Sequence, residues 1–357
     1  MSAPHASKQA RSKKQSARVS ARLSFDAFLF QSFGGPNEES DIIPFLENVT
    51  RGRNIPAERV EKVSQQYKLV GGKSPINEIN QDLISRIQIA FEKHGIDLPI
   101  YFGNRNFAPY VYDALEQMKR DGRTKVIAFV TSAYGSFSGC KQYKIDIELA
   151  QQAVGAGAPE VVKIRHYYSH PGFIGPLISN TIDALNVLPN PCEAELIFTA
   201  HSIPLAMSNT SPYLQQLNRA VALVASGVEQ RTGLERRYHL AFQSRSGPPT
   251  QKWLEPDVSD QLRTLADAGV RNIALIPVSF VSDHMEVVYD LDILAARTAR
   301  ELGISLARAK TSSDSPEFVE MIVDLTMELL DPSTAPKSLG DFDNLNGCSA
   351  SCCPTRP

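Results

Sequence analysis

The sequence predicts an α/β protein of two similar doubly wound, Rossmann-like domains, each a four-stranded parallel sheet flanked by helices, with the active site in the cleft between them. Three observations lead there. Short β-rich apolar runs alternate with segments of helical periodicity along the 357 residues. There are eight such runs, dividing four and four. The two sets also resemble one another in their opening strands and in the motif that ends the third strand of each. Strands buried on both faces have near-continuous apolar sequences, and parallel neighbours need a crossover, which a helix supplies.

The first four strands are expected at 26–32, 98–103, 124–132 and 161–167, and the second four at 194–200, 238–243, 272–279 and 304–309. Helical periodicity fills the intervals, as in Val111–Lys119, Asp257–Ala268 and Glu317–Leu330. Phe28-Leu29-Phe30-Gln31-Ser32-Phe33 opens the first half much as Leu196-Ile197-Phe198-Thr199-Ala200-His201 opens the second. In each half a Gly turn, Gly122 or Gly269, and a basic residue precede the third strand. An internal duplication explains both parallels. The expected division is a basic disordered tail at 1–24, an N-terminal domain at 25–168, a C-terminal domain at 169–330 and a cysteine-bearing tail at 331–357. Within the first domain, 37–80 is long for a strand-to-strand connection and carries Arg51, Arg53, Tyr67, Gly71, Gly72 and Ser74, the ingredients of a flap over a flat anionic ligand.

Composition limits the function. The chain is 42% hydrophobic and 21% charged, with a formal net charge of −2, which suits a globular enzyme and argues against nucleic acid as the main partner. No run approaches the roughly 18–20 apolar residues that span a bilayer. Residues 1–24 hold six Lys and Arg among Ser, Ala and Gln, with no acidic residue before Asp26 and no apolar core of a secretory signal. A cytoplasmic location is expected, although an organelle transit peptide would have a similar start.

In such folds ligands bind beyond the carboxyl ends of the strands. His201 ends an apolar strand there, and Asp283, Glu286 and Asp290 follow another at spacings of three and four, on one helical face. A neutral imidazole and carboxylates converging at two strand ends can bind a divalent metal and move protons. His284, inside the second motif, is expected to pack or to pair with Asp283.

These two motifs resemble those of the ferrochelatase family, which inserts Fe²⁺ into porphyrins. The resemblance extends through Ser32-Phe-Gly-Gly-Pro36, residues 44–53, Gly71-Gly-Lys-Ser-Pro-Ile-Asn77, Tyr101-Phe-Gly-Asn-Arg-Asn106, Ser138-Gly-Cys-Lys-Gln-Tyr143, Phe242-Gln-Ser-Arg-Ser-Gly-Pro-Pro249 and Trp253–Asp257. It implies that His201 and Glu286 form the metal and catalytic pair, with Asp290 extending an acidic path. It also implies that Ser74 and Tyr143, and in the flap Arg51 and Tyr67, contact the porphyrin. Two departures stand out. Leu294 replaces a third acid found in many relatives, and Phe33 replaces a Tyr that ligates product iron in Firmicute relatives. The similarity is strongest to actinobacterial members, which implies coproporphyrin III and Fe²⁺ as substrates and a [2Fe–2S] cluster as cofactor. A monomer is expected, in passing contact with the next haem-pathway enzyme.

Five cysteines without a signal peptide do not make a disulfide framework. Family clusters use one Cys in the first domain and three near the C-terminus, which implies Cys140, Cys348, Cys352 and Cys353 as ligands. The Cys-x₃-Cys-Cys spacing departs from commoner relatives, and a zinc site or an unliganded tail is the alternative. Cys192 has no such match. Competing readings are a protoporphyrin IX ferrochelatase, a cobalt chelatase of the same fold, and, from another class, a silent tetrapyrrole carrier or an iron–sulfur redox sensor. Intact His201 and Glu286 argue against the silent carrier.

Overall fold

The computed structural model of the chain describes residues 25–52, 56–248 and 250–340. The N-terminal basic tail, Arg53, and Cys348, Cys352 and Cys353 lie outside the described residues. All eight expected strands form: β1 (Ala27–Ser32), β2 (Ile100–Asn104), β3 (Lys125–Val130), β4 (Glu160–Lys163), β5 (Glu195–His201), β6 (Tyr238–Gln243), β7 (Asn272–Ile276) and β8 (Ser305–Arg308). They make two four-stranded sheets with orders β2-β1-β3-β4 and β6-β5-β7-β8, all pairings parallel. The same permutation in both halves is what a duplication leaves behind.

Each sheet is centred on its most apolar strand. Every residue of β1 is buried, with Phe28 between Ile100 and Ile127 in register. In β5 six of the seven residues are buried and only His201 at the carboxyl end is partly exposed. Two strands, β4 and β7, stop three or more residues short of the runs that announced them. Pro277 has no N–H to donate and ends β7 at Ile276. The 161–167 run leaves β4 after Lys163 because Tyr167 turns into the core, where its hydroxyl donates to the Val130 carbonyl at 2.9 Å.

The two halves share a core. One apolar cluster runs from Phe28 and Phe129 in the first sheet to Phe198 and Ile276 in the second. The last helix, Pro316–Leu330, is a main tie. Its Phe318 meets Phe129, Tyr167 and Phe173 with ring centroids 6.2–6.5 Å apart, and the helix packs on both Ile76–His94 and Pro171–Asn186. Polar links close the joint near the strand ends. The Tyr134 hydroxyl donates to the Val278 carbonyl at 3.0 Å, and the Gly135 N–H donates to Gln216 Oε1 at 2.7 Å.

Between β1 and β2 the long connection folds as helices Ile42–Thr50 and Ala57–Leu69 before the helix Ile76–His94. Ile42, Phe45, Leu46 and Tyr67 from this excursion bury against Met285 of the second half. Arg59 Nη2 also donates to the Arg245 carbonyl at 3.3 Å. The excursion therefore bridges the carboxyl ends of both sheets. Among the described residues no helix is long and apolar enough to cross a membrane.

Candidate active site

The site grows from two strand ends that the fold places side by side. β5 runs out of the core and delivers His201 at its last position, where the backbone N–H donates to Ser279 Oγ at 3.1 Å and the carbonyl accepts from the Tyr213 hydroxyl at 2.9 Å. His201 Nδ1 lies 2.6 Å from the Ser202 carbonyl. A carbonyl only accepts, so Nδ1 carries a hydrogen, and in the neutral ring the lone pair is on Nε2. Nε2 faces Glu286 Oε2 at 3.5 Å. Both side chains remain open to solvent, at 35% and 42%, so the pair can meet a substrate.

Glu286 stands in the first turn of a continuous helical segment made of Met285–Val287, a π-helical stretch Val288–Ala295 and Ala296–Glu301. His284 caps its start. Its Nδ1 accepts from the Glu286 N–H at 3.1 Å, its ring lies 5.0 Å from Phe280, and burial holds its pKa below the ordinary range. The cap role explains why this histidine does not join the pair. Asp283 is not its partner; that carboxylate bonds Arg308 at 2.8 Å.

Asp290, one turn on, is a carboxyl of a different kind. Burial pushes its pKa from 3.8 up to about 6, against the hydrogen bond donated by Ser244 Oγ and with a further push from the Glu286 charge. Ser244 has φ +61, the one positive value outside glycine among the described residues. A serine held in that region is mildly strained and is kept there by its surroundings. Beside it, Gln243 Nε2 donates to the Glu286 carbonyl at 3.3 Å, so the end of β6 grips both turns of the acidic segment.

The opposite wall comes from the first domain. Phe33, 37% exposed, meets Phe45 of the excursion at 6.3 Å between centroids. The Arg105 guanidinium lies 5.9 Å from the Phe33 ring centroid and 5.6 Å from that of Tyr143, with its Nε 3.2 Å from Asp146 Oδ2. Contacts of this kind hold a cation against aromatic rings. Tyr143 is buried, and burial pushes its phenol up to about 12. Tyr67 is buried too, its phenol raised by burial and by the Glu286 charge nearby.

A chain with this site can be compared with known proteins. The family model described as Ferrochelatase matches residues 26–330. This chain belongs to the ferrochelatase family. A protein named Ferrochelatase from Rhodopirellula baltica is 45% identical over 339 residues, covering 93% of this chain and 95% of that protein. Proteins named Coproporphyrin III ferrochelatase are similar as well. That of Mycolicibacterium smegmatis is 47% identical, over 86% of this chain and 91% of its own length. That of Streptomyces coelicolor is 42% identical, over 93% and 94%. Among solved structures, SirB from Bacillus subtilis with Fe3+ superposes with a TM-score of 0.51 at 9% identity, covering 89% of this chain and 100% of SirB. At that identity the likeness is one of fold.

Within this ferrochelatase fold the remaining expected site residues are scattered. Ser74 is buried, its N–H donating to the Pro36 carbonyl at 2.9 Å and its side chain pressed on Gly35. A Cβ at Gly35 would stand 2.6 Å from Ser74 Cβ, so the Gly-Gly pair of the 32–36 motif is a close-approach device. Arg51 is exposed at the end of Ile42–Thr50. Cys140 is buried in the π-turn Phe137–Lys141 that leads into the helix carrying Tyr143, and its three expected partners lie outside the described residues. The structure adds residues to which sequence reasoning gave no role: Arg105, Gln243 and Ser244. All three stand at or just beyond carboxyl ends of strands, inside motifs already quoted for the resemblance. Their position was the available signal.

Proposed function

We propose that this protein inserts ferrous iron into coproporphyrin III, using His201 and Glu286 as the reacting pair. The observation that carries the reading is the 3.5 Å approach of His201 Nε2 to Glu286 Oε2 beneath the aromatic excursion. Insertion exchanges two pyrrole N–H protons for Fe²⁺, so a base must stand at the ring and a weak ligand must present the metal. His201 Nε2 has the free lone pair for the first proton. Glu286 supplies negative charge to a cation stripped of water. Two protein donors against four ring nitrogens favour release of iron to the porphyrin. Asp290, titrating at about 6, can pass protons on near neutrality.

Coproporphyrin III carries four propionates, and planar guanidinium groups suit carboxylates. Arg105, beside Phe33 and Tyr143, and Arg51 on the excursion support that choice, and the names of several relatives point the same way. Tyr143 and Tyr67 would back the macrocycle, and Ser74 would shape the loop beneath it. The test is a comparison of coproporphyrin III with protoporphyrin IX under anaerobic, detergent-matched conditions. Coproporphyrin III should give the higher kcat/KM; the reverse order would refute the substrate assignment while leaving chelation intact.

Cys140, Cys348, Cys352 and Cys353 would hold a [2Fe–2S] cluster, whose thiolate bonds tie the C-terminal tail to the first domain. The described chain supports that path. Residues 331–340 are strapped down, with the Leu339 N–H donating to the Ser169 carbonyl at 2.8 Å and Lys337 Nζ to Asp324 Oδ1 at 2.6 Å. Gly340 then reaches Arg219, one helical turn from Gln216, which bonds Gly135 at the start of the Cys140 segment. From Gly340 to Cys348 a chain of this length can span at most about 26–29 Å.

A further inference from the structure

The helical segment that presents Glu286 and Asp290 is irregular. Its middle, Val288–Ala295, is π-helical, a form that is rare, occurs mostly as single turns and tends to mark functional sites. His284, Gln243 and Ser244 contact its first turns; a further contact comes from the sheet.

Arg308 supplies it. It is the last residue of β8, paired in register with Leu275 of β7, and so stands on the sheet rather than on a loop. Its guanidinium meets two carboxylates at once. Nη2 and Nη1 lie 2.8 and 3.2 Å from the oxygens of Asp283, and Nε and Nη2 lie 2.5 and 3.1 Å from those of Asp292. Nη1 also donates to the Ala309 carbonyl. Asp283 precedes Glu286 by three residues and Asp292 follows Asp290 by two. The clamp therefore brackets both acids of the site. The Arg308, Asp283 and Asp292 side chains are 19%, 25% and 36% exposed, so solvent screens the Asp283 arm less than a surface pair. Only a planar cation with donors on three nitrogens can engage two carboxylates this way; an ammonium is a point charge.

We propose that Arg308 is a positioning residue of metal insertion: by gripping Asp283 and Asp292 together it holds the π-helical segment so that Glu286 faces His201. It touches neither iron nor porphyrin. The proposal rests on the reading of His201 and Glu286 given above.

The test uses the full chain with Arg308→Lys, Arg308→Met and, in parallel, Glu286→Gln. Fe²⁺ and coproporphyrin III are varied separately, and a melting temperature is taken for each variant. Misplacing a reacting group by about 1 Å can cost on the order of a hundredfold. Arg308→Met should lower kcat by about tenfold to a hundredfold and raise the KM for the metal, while the KM for porphyrin stays within about twofold. Arg308→Lys should fold like the parent and fall between the two. If Arg308→Met does not fold, Arg308→Lys decides. A folded Arg308→Lys with parental kcat and metal KM overturns the proposal, as does a parallel rise of both KM values. Should Glu286→Gln keep parental turnover, the site reading fails and this proposal with it; should Glu286→Gln lose turnover while Arg308→Lys does not, only the proposal fails.

Discussion

His201 and Glu286 face each other at 3.5 Å across the ends of β5 and the β7 connection, one fixed by a strand and the other by a capped helix start. Neither depends on the other for its place. The His201 ring is held by the Ser202 carbonyl and the Glu286 backbone N–H by the His284 cap. Neither bond involves the other residue's side chain, so either side chain can be altered without dismantling its neighbour.

His201→Ala and Glu286→Gln should therefore abolish iron insertion and leave porphyrin binding nearly intact. One positioned base is typically worth 10²–10⁴-fold. Porphyrin fluorescence quenching measures binding and anaerobic absorbance measures turnover. More than about a tenth of parental kcat in His201→Ala would remove it from the essential role.

Asp290 makes a pH prediction. Its folded pKa, about 6, lies above the ordinary 3.8. The native state therefore holds its proton more tightly than the unfolded chain, and this group's contribution falls as pH rises from about 4 to 6. Above pH 6 the partly buried carboxylate costs up to about 2–3 kcal/mol. Asp290→Asn should thus raise the melting temperature at pH 7.5 and change it little at pH 4.5. His166 and His170, which burial holds down to about 3, slope the opposite way but are common to both proteins and cancel. An equal shift at both pH values would contradict the assignment.

Gly35 and Ser74 should be coupled. A methyl at Gly35 would collide with Ser74 Cβ at 2.6 Å, so Gly35→Ala should destabilise by about 1–3 kcal/mol, the usual cost of overpacking. Adding Ser74→Gly removes the struck atom and should recover most of that loss, whereas adding Ser74→Ala should not. Urea midpoints of the two double variants decide it.

Phe318 is fully buried against Phe129, Tyr167 and Phe173. Phe318→Ala should cost about 3–5 kcal/mol. Because the helix ties both sheets, chemical unfolding should remain a single transition; two separated transitions would show that the halves unfold independently.

If the four cysteines hold a cluster, freshly purified protein should be reddish-brown with two irons and two sulfides per chain. Serine at Cys140, Cys348, Cys352 or Cys353 should bleach it and lower the melting temperature, while Cys192→Ser should do neither. A colourless anaerobic preparation with one zinc per chain would favour a structural zinc site instead.

The alternation of buried strands and helices was legible in the sequence because a strand covered on both faces has few places for polar residues. The apolar runs around Phe28, Phe129, Ile197 and Leu275 became the centres of the two sheets for that reason. His201, Glu286 and Asp290 were legible as candidates because each lies at or beyond a strand's carboxyl end, where this topology opens. Sequence spacing could not say which histidine faces Glu286: His284 is closer along the chain, yet it is turned inward as a cap. Nor could it show that Arg308 pairs with Asp283 and Asp292, or that Ser74 supports a loop through Gly35. The sequence by itself determined the elements and the chemical types at their ends, since periodicity and side-chain chemistry are local. Only the tertiary structure decided which ends meet, because a 3.5 Å approach between distant residues depends on how sheets, helices and caps pack together.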